Sequence, residues 1–215
     1  MSYSVKEIFY SLQGEGFHAG RPAIFCRFAG CNLWSGREQD REKSICTFCD
    51  TDFVGCDGNG GGKYKTANEL VNKVLDYWPK QKIAIKSVAP FVILTGGEPA
   101  LQVDSNLISE FKNRGFDIAI ETNGTLELPG GIDWVCLSPK GLSDIKLKSA
   151  NELKFVYPQK DLSPHLFENF STQHFYIQPL ESEELEKNIG DSIKFCLENP
   201  TWHLSTQMHK IVGIQ

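Results

Sequence analysis

The sequence predicts an α/β fold in which parallel β-strands alternate with helices. Several short apolar runs are continuous rather than alternating, as in strands that are buried on both faces of a parallel sheet. Segments with helix caps and apolar stripes lie between these runs, which predicts right-handed strand–helix–strand units. With 215 residues, of which 40% are hydrophobic, the chain is large enough for one domain, and we expect residues 1–215 to form it.

Seven strands are predicted along the chain. Each is a run rich in apolar, β-branched or aromatic residues that ends near a glycine, a proline or a polar cluster. The runs cover residues 5–10, 23–28, 91–95, 117–121, 134–138, 153–157 and 175–178. Because parallel strands are joined by long crossover connections, helices should occupy several of the intervals between these runs.

Three helices are predicted in these intervals, over residues 66–78, 103–115 and 182–199. The first begins with a Thr-x-x-Glu capping box and ends before a proline, and the second ends at a glycine. The third begins at a serine followed by two glutamates, whose charges suit the helix dipole. Its apolar residues predict an inward-facing stripe made of Leu185, Ile189, Ile193 and Leu197.

The composition and the N-terminal residues argue against several classes of protein. A formal net charge of −5 disfavours a nucleic-acid-binding surface that neutralises phosphates. No run approaches the roughly 18 consecutive apolar residues that a membrane helix needs. Residues 1–7 lack the apolar segment of a signal peptide, so we expect a cytoplasmic protein with no membrane or nucleic-acid partner.

Three of the seven cysteines lie in a segment, about residues 30–65, that shows no secondary-structure periodicity. Cys31, Cys46 and Cys49 have the spacing Cys-x14-Cys-x2-Cys. The odd number of cysteines and a reducing compartment argue against disulfides. Three thiolates can hold three irons of a 4Fe–4S cluster and leave the fourth iron open. A zinc site completed by Cys56 fits the spacing about as well, so the cysteines alone leave both interpretations open.

Motifs at the ends of predicted strands indicate a ligand site. A glycine pair at 96–97 follows one strand, Ser-Pro-Lys at 138–140 ends another, and Gln-Pro-Leu-Glu at 178–181 ends a third. Ligands of α/β folds bind at such carboxyl ends. Taken singly, the glycine pair is equally an ordinary turn, and Lys140 is equally a solvated surface lysine.

Two further features are polar residues beside predicted strands. Gln13 and Glu15 follow the first strand, and a carboxamide next to a carboxylate offers both hydrogen-bond donors and acceptors to a ligand. The alternative is a tight turn with an exposed Glu15. Arg27 interrupts an apolar run, and a buried arginine needs an anion, either a substrate carboxylate or an internal salt bridge.

In their joint order, these motifs resemble the radical S-adenosylmethionine superfamily and, within it, the 7-carboxy-7-deazaguanine synthase family. One matching feature is an aromatic residue between Cys46 and Cys49. The other matching pieces are residues 11–16, 27–33, 49–51, 95–99, 121–124, 138–140, 178–180 and 207–210. The superfamily usually has three residues between its first two cysteines, whereas this chain has fourteen. Some members of the family carry such an insertion, so only the conformation of residues 32–45 is left open.

The resemblance implies a compact partial (β/α) barrel of the radical S-adenosylmethionine type, with a cluster-binding loop insertion at about 30–65. It implies a lyase of queuosine biosynthesis that converts 6-carboxy-5,6,7,8-tetrahydropterin to 7-carboxy-7-deazaguanine with loss of ammonia. The implied cofactors are a 4Fe–4S cluster, S-adenosyl-L-methionine and Mg²⁺. The implied partners are the pterin substrate, an electron-donor protein such as a flavodoxin, and a second copy of the chain in a homodimer.

The resemblance also implies roles for individual residues. Cys31, Cys46 and Cys49 would hold the cluster, and Thr51 would bind Mg²⁺. The implied contacts to S-adenosylmethionine are Phe48, Asp50, Gly96, Gly97, Glu98, Glu121, Asn123, Ser138, Pro139, Lys140, Gln178, Pro179, Leu180 and Glu181. The implied contacts to the substrate are Leu12, Gln13, Gly14, Glu15, Arg27, Thr95 and Gln215.

Two other functions stay open at this point. An activase that generates a glycyl radical on a partner protein would share the cysteine segment and the glycine pair. It would not need Glu15 and Arg27 to converge on a small acid. A zinc-stapled binding module, with Cys56 as the fourth ligand, would be colourless, whereas a cluster protein would be brown.

Overall fold

The computed structural model describes residues 2–80 and 88–215, and its centre is one nine-stranded sheet. The strand order is β3-β1-β2-β4-β5-β6-β7-β8-β9, with β1 antiparallel to both of its neighbours and every other adjacent pair parallel. The strands are β1 (Tyr3–Leu12), β2 (Pro22–Phe28), β3 (Gly62–Tyr64), β4 (Phe91–Gly96), β5 (Asp117–Thr122), β6 (Trp134–Leu137), β7 (Glu152–Tyr157), β8 (His174–Pro179) and β9 (Trp202–Leu204).

All seven predicted strands are confirmed, with ends that shift by at most two residues. The sequence analysis missed β3 and β9, each of three residues, which form the two outer strands of the sheet. Both are too short to show a periodicity, and β3 begins with a glycine that disfavours strands. The sheet is therefore open between β3 and β9, as in a partial barrel.

Within the described residues, four α-helices accompany the sheet: α1 (Ala67–Leu75), α2 (Ser105–Asn113), α3 (Leu185–Glu198) and α4 (Met208–Val212). The predicted cap of α1 is confirmed, since the Glu69 amide donates to the Thr66 hydroxyl at 3.1 Å. At α2, Asp104 is the cap and accepts from the Leu107 amide at 2.9 Å. The third predicted helix is present, but it begins three residues after the predicted serine.

The prediction that the apolar stripe of α3 faces inward was wrong. Ile189, Ile193 and Leu197 are 37%, 42% and 78% exposed, and Leu185 is only half-buried. Residues spaced by four drift around a helix by about 40° at each step, so such a stripe cannot stay on one face. The buried residues of α3 are Asn188, Ser192 and Phe195, and the Asn188 amide donates to the Leu180 carbonyl at 2.8 Å.

The two faces of the sheet have different roles. On β4, Val92 and Leu94 join the main hydrophobic core that α1 and α2 cover. Phe91 and Ile93 point to the opposite face, where they form a small apolar cluster with Ala119 of β5. Above this apolar floor, towards the carboxyl ends of the strands, the same face becomes polar. No helix in the described ranges is long and apolar enough to cross a membrane.

Candidate active site

A cavity of about 460 Å³ lies at the carboxyl ends of the parallel strands, and the cysteine segment forms its opposite wall. This volume is within the roughly 300–1,000 Å³ that small-molecule sites occupy. All but two of the predicted site residues line it. They are Leu12, Gln13, Gly14, Glu15, Arg27, Cys31, Cys46, Phe48, Cys49, Asp50, Thr51, Thr95, Gly96, Gly97, Glu121, Asn123, Ser138, Lys140, Gln178, Pro179, Leu180, Glu181 and Gln215.

Glu98 and Pro139, also predicted to contact the cofactor, do not line this cavity. Glu98 is fully buried, and its carboxylate accepts hydrogen bonds from the Thr122 hydroxyl at 2.7 Å and the Asn123 amide at 2.8 Å. It thereby ties the turn after β4 to the turn after β5, although burial raises its pKa. The Pro139 carbonyl instead accepts a hydrogen bond from Gln159 at 3.1 Å.

The three cysteines of the predicted cluster motif face the cavity together, whereas Cys56 does not line it. Hydrogen bonding from Cys46 lowers the pKa of Cys49 to about 6. Within residues 2–80 and 88–215, no three His, Cys, Asp or Glu side chains converge closely enough to hold one metal ion. A 4Fe–4S cube binds each thiolate at a different iron, so its ligands need not converge on one point. The donor set fits the cluster better than a single zinc ion.

The insertion between the first two cysteines folds back onto the cysteine turn. It contains one short 3₁₀ helix, Glu38–Lys43, from which Arg41 reaches the backbone. The Arg41 guanidinium donates to the carbonyls of Thr47 at 3.1 Å and Cys49 at 3.0 Å, and it lies 4.0 Å from the centre of the Trp34 ring. These contacts brace the Cys46–Cys49 turn, which answers the question that the sequence left open for residues 32–45.

The glycine pair after β4 joins the sheet to the cysteine segment. A Cβ atom on Gly97 would lie 2.1 Å from the Gly30 carbonyl oxygen and 2.9 Å from the Cys31 Cβ. The Glu98 amide donates to the same Gly30 carbonyl at 2.9 Å. The two halves of the site therefore meet backbone to backbone here, and Gly97 is required for this contact as well as for any approach to a ligand.

A buried lysine holds two of the predicted ligand-binding carboxylates. Lys154 on β7 is 4% exposed, and its Nζ lies 2.6 Å from Glu15 and 2.9 Å from Glu121. Gln13 donates to the other oxygen of Glu121 at 2.7 Å, and Gln207 donates to the other oxygen of Glu15 at 3.1 Å. Burial alone would raise the pKa of Glu15, but the charge of Lys154 lowers it to about 2.

The sequence analysis missed Lys154, although a signal was present. Lys154 interrupts the apolar run of β7 just as Arg27 interrupts that of β2. The sequence analysis included residues 207–210 among the matching motifs but assigned no site role to Gln207, His209 and Lys210, which line the cavity. The Lys210 ammonium bridges Asp50 at 2.8 Å and Glu181 at 3.4 Å, so it links the cysteine segment to the turn after β8.

Arg27 makes the internal salt bridge that was one of its two predicted alternatives. Its Nε lies 2.8 Å from Glu7, and both side chains are about one-fifth exposed. Gln215 donates to the other carboxylate oxygen of Glu7 at 3.2 Å. A guanidinium carries five N–H donors, so this pairing leaves Arg27 able to bind an anion in the cavity that it lines.

Comparison with known proteins agrees with this geometry. No family model matches the chain. Proteins called 7-carboxy-7-deazaguanine synthase from Bradyrhizobium diazoefficiens, Bordetella pertussis and Caulobacter vibrioides are 52%, 49% and 49% identical, each over the full length of both chains. The crystal structure of QueE from Escherichia coli matches with a TM-score of 0.71 and 25% identity, over 97% of this chain and 95% of that one.

These similarities extend from the first strand to the C-terminal segment, so the aligned region spans the cysteine segment and the strand ends that form the cavity. The fold is accordingly the partial barrel of the radical S-adenosylmethionine type, with the cysteine segment inserted between β2 and β3. On identity, coverage and fold, the chain belongs to the 7-carboxy-7-deazaguanine synthase family.

Proposed function

We propose that this protein, acting as a single domain over residues 1–215, converts 6-carboxy-5,6,7,8-tetrahydropterin to 7-carboxy-7-deazaguanine with loss of ammonia. It is a lyase of queuosine biosynthesis. The observation that carries the proposal is a cavity lined on one wall by Cys31, Cys46 and Cys49 and on the other by Arg27 and the Lys154-bridged carboxylates. Full-length identity to relatives of that name supports it.

The cofactor side of the reaction belongs to the cysteine wall. Cys31, Cys46 and Cys49 would hold three irons of the 4Fe–4S cluster. When bound, the cluster and S-adenosylmethionine would supply the radical chemistry that removes hydrogen from substrate C6. The cofactor contacts that we propose are Phe48, Asp50, Gly96, Gly97, Glu121, Asn123, Ser138, Lys140, Gln178, Pro179, Leu180 and Glu181, all of which line the cavity.

The substrate side belongs to the end of β1 and the deeper part of the sheet. Gln13 and Glu15 would bind the pyrimidine edge, because their amide and carboxylate match its N–H and carbonyl groups. Arg27 and Thr95 are paired across β2 and β4, and they would bind the carboxylate at C6. Further wall contacts that we propose are Leu12, Gly14 and Gln215.

A magnesium ion is the third proposed cofactor, after the cluster and S-adenosylmethionine. Thr51 lines the cavity between Asp50 and Asp52, so oxygen donors of the kind that Mg²⁺ prefers lie side by side. Lys210 lies 2.8 Å from Asp50, and Lys6 lies 2.8 Å from Asp52, which reduces the negative charge available to a metal. The ion should therefore bind together with the substrate carboxylate rather than alone.

Anaerobic turnover tests the main proposal. Reconstituted protein is incubated with the carboxypterin, S-adenosylmethionine and a reductant, and the product is identified by mass analysis. Loss of one nitrogen with formation of 7-carboxy-7-deazaguanine is expected. Brown protein that cleaves S-adenosylmethionine but leaves the pterin intact would favour a glycyl-radical activase. Colourless protein that binds zinc would favour the binding module.

The magnesium proposal has its own test. Turnover should rise with added Mg²⁺, and Thr51→Ala should weaken this dependence while deoxyadenosine formation continues. Thr47→Ala is the matched control, because Thr47 lies in the same segment but does not line the cavity. Full turnover in EDTA, together with an unchanged Mg²⁺ response in Thr51→Ala, would contradict the assignment.

We also propose a homodimer that works in the cytoplasm and accepts electrons from a protein such as a flavodoxin. For the dimer, the support in this chain is the exposure of three apolar side chains of α3, Ile189, Ile193 and Leu197. Sedimentation should give twice the chain mass, and Ile193→Asp should lower it to one chain. An Ile193→Asp protein that keeps the dimer mass would place the interface elsewhere.

A further inference from the structure

The deepest charged group in the cavity is a cation that no proposed substrate contact requires. The Lys154 side chain is 4% exposed, whereas those of Glu15 and Glu121 are 15% and 22% exposed. A buried ammonium is costly unless it is paired, so its presence needs a reason. The two carboxylates beside it pair with the ammonium. The reason for the lysine is that, without it, one of these carboxylates would tend to take up a proton.

Two carboxylates that approach one point in a buried site do not both stay ionised. Burial and mutual repulsion favour a proton on one of them, and this carboxyl then becomes a hydrogen-bond donor. A lysine between them removes that preference. Burial would raise the pKa of Glu15, yet Lys154 lowers it to about 2, so Glu15 stays an acceptor throughout the neutral range.

The hydrogen-bond pattern around the two carboxylates agrees with this role. Every carboxylate oxygen of Glu15 and Glu121 already receives one N–H, from Lys154, Gln13 or Gln207. Each oxygen has a second lone pair that faces no such donor. A ligand in the cavity meets this pair of groups as acceptors.

We infer that Lys154 is a positioning residue, which holds the carboxylates of Glu15 and Glu121 side by side as hydrogen-bond acceptors and so makes the cavity selective for a ring edge with adjacent N–H donors. This inference rests on the proposed function, names the feature of the substrate that the site reads, and moves Glu121 from the cofactor contacts to the substrate contacts. The 2-amino group and the neighbouring ring N–H of a pterin fit such a pair. A carbonyl in place of the amino group would set lone pairs against the carboxylate oxygens.

Other ionisable groups surround this pair and must be held constant in any test. Cys136 and Glu152 lie below it on β6 and β7, and burial raises the pKa of each. His209 and Asp50 act on Glu15 from the C-terminal segment and the cysteine segment. Because all four remain in a Lys154 variant, only differences between the wild type and the variant at the same pH report on Lys154.

Binding of two oxidised probes tests the inference without turnover. Pterin-6-carboxylate keeps the amino group, and lumazine-6-carboxylate has a carbonyl there. Calorimetry with the reconstituted protein should show that the wild type prefers the pterin by roughly tenfold to a hundredfold, the range for a hydrogen bond to a charged group. This preference should stay flat between about pH 5.5 and 8.5, because Lys154 holds the pKa of Glu15 at about 2, well below that range.

Lys154→Met should lose most of this preference and should bind the lumazine better as the pH falls, because one carboxyl then takes up a proton. Lys148→Met is the matched control, since Lys148 is exposed and should keep the wild-type ratio. Thermal unfolding and circular dichroism check that the Lys154 variant is folded. If it is not, the flat pH profile of the wild-type preference is the remaining test.

The outcomes separate the two proposals. A wild type that binds neither probe would contradict the proposed function. A wild type that prefers the pterin, together with a folded Lys154→Met protein of the same preference and pH profile, would overturn the role of Lys154 alone. A wild-type preference that falls steeply below neutral pH would overturn it as well.

Discussion

The two walls of the cavity are built in different ways. The cysteine wall is irregular backbone, and single side-chain contacts such as those of Arg41 with the Thr47 and Cys49 carbonyls fix its shape. The sheet wall is fixed by strand register, which aligns Arg27 with Thr95 and Glu121 with Cys136. A local contact therefore decides the geometry of one wall, and long-range pairing decides the geometry of the other.

This difference teaches where each wall is vulnerable. Loss of one brace should disturb the cysteine wall and leave the sheet intact, because the sheet does not depend on it. The two walls meet at Gly97, whose missing Cβ allows contact with Gly30 and Cys31. A change at this point should affect both walls together.

The largest expected effect is loss of the cluster ligands. Replacing Cys31, Cys46 or Cys49 with alanine should abolish iron binding, because three thiolates are the fewest that hold the cube while one iron stays open. Cys56→Ala is the control and should keep its iron, since Cys56 does not line the cavity. Iron content after anaerobic reconstitution measures both. Equal losses in Cys56→Ala and Cys49→Ala would contradict the three-ligand assignment.

Gly97→Val should damage both walls at once. Its Cβ would lie 2.1 Å from the Gly30 carbonyl oxygen, so backbone must move. Overpacking of this kind costs about 1–3 kcal/mol in the free energy of unfolding. Urea unfolding and iron content should both fall below those of the wild type.

Gly130→Val is the matched control for Gly97→Val, because nothing lies within 4 Å of the position of its Cβ. It should behave like the wild type in both measurements. If Gly97→Val loses affinity for S-adenosylmethionine and keeps full stability and iron, the contact between the two walls is not what requires this glycine.

Glu98→Gln should weaken the sheet wall alone. The new amide N–H₂ would replace an oxygen that now accepts from backbone or hydroxyl donors, and a buried donor left unpaired costs about 1–3 kcal/mol. Urea unfolding should show this loss, while the iron content should stay close to that of the wild type. An iron-free but fully stable variant would show that Glu98 serves the cluster instead.

The same glutamate predicts a pH dependence. Burial raises the pKa of Glu98 above its ordinary value of 4.5, so the folded state holds this proton more tightly than the unfolded state. The stabilisation that comes with the proton is present below pH 4.5 and is lost as the pH rises through the higher folded-state value. Glu98→Gln should lack this contribution, so its stability should change less than that of the wild type over the same rise.

The smallest expected effect is at the brace of the cysteine wall. Arg41→Ala removes the two hydrogen bonds to the Thr47 and Cys49 carbonyls, so iron should be lost severalfold faster to a chelator. The unfolding curve should not change, because the sheet does not use this contact. Arg37→Ala is the control, since Arg37 is exposed at the start of the same 3₁₀ helix. If Arg41→Ala and Arg37→Ala lost iron at equal rates, the Arg41 contacts would not stabilise the cysteine wall.

Much of the sheet could be predicted because its signals are local. A continuous apolar run is visible in any window of six residues, and so were the capping residues of α1. The inward face of α3 could not be predicted, because Asn188 is buried by a tertiary hydrogen bond to the turn after β8, and the small polar Ser192 is buried on the same helix. The apolar residues of that helix predicted that the opposite face would be buried.

The residues of the site were predicted better than their partners. Motif order identified Glu15, Glu121 and Arg27, whereas the structure was needed to pair them with Lys154 and Glu7. Lys154 and Glu15 lie 139 positions apart in the sequence, and periodicity carries no information at that distance. A charged residue inside an apolar strand is the signal that sequence reasoning can use for such pairs.

The order of the strands bears on how the chain folds during synthesis. Every strand after β1 pairs with a strand that lies before it in the chain: β2 and β3 with β1, β4 with β2, and each later strand with the one just made. The N-terminus of the chain leaves the ribosome first, so each new strand can pair with the edge of a sheet that has already been synthesised. The three cluster cysteines emerge early, and the C-terminal lining residues, of which Gln215 is the last, emerge at the end. A nascent chain can therefore assemble most of its sheet long before its catalytic pocket is complete.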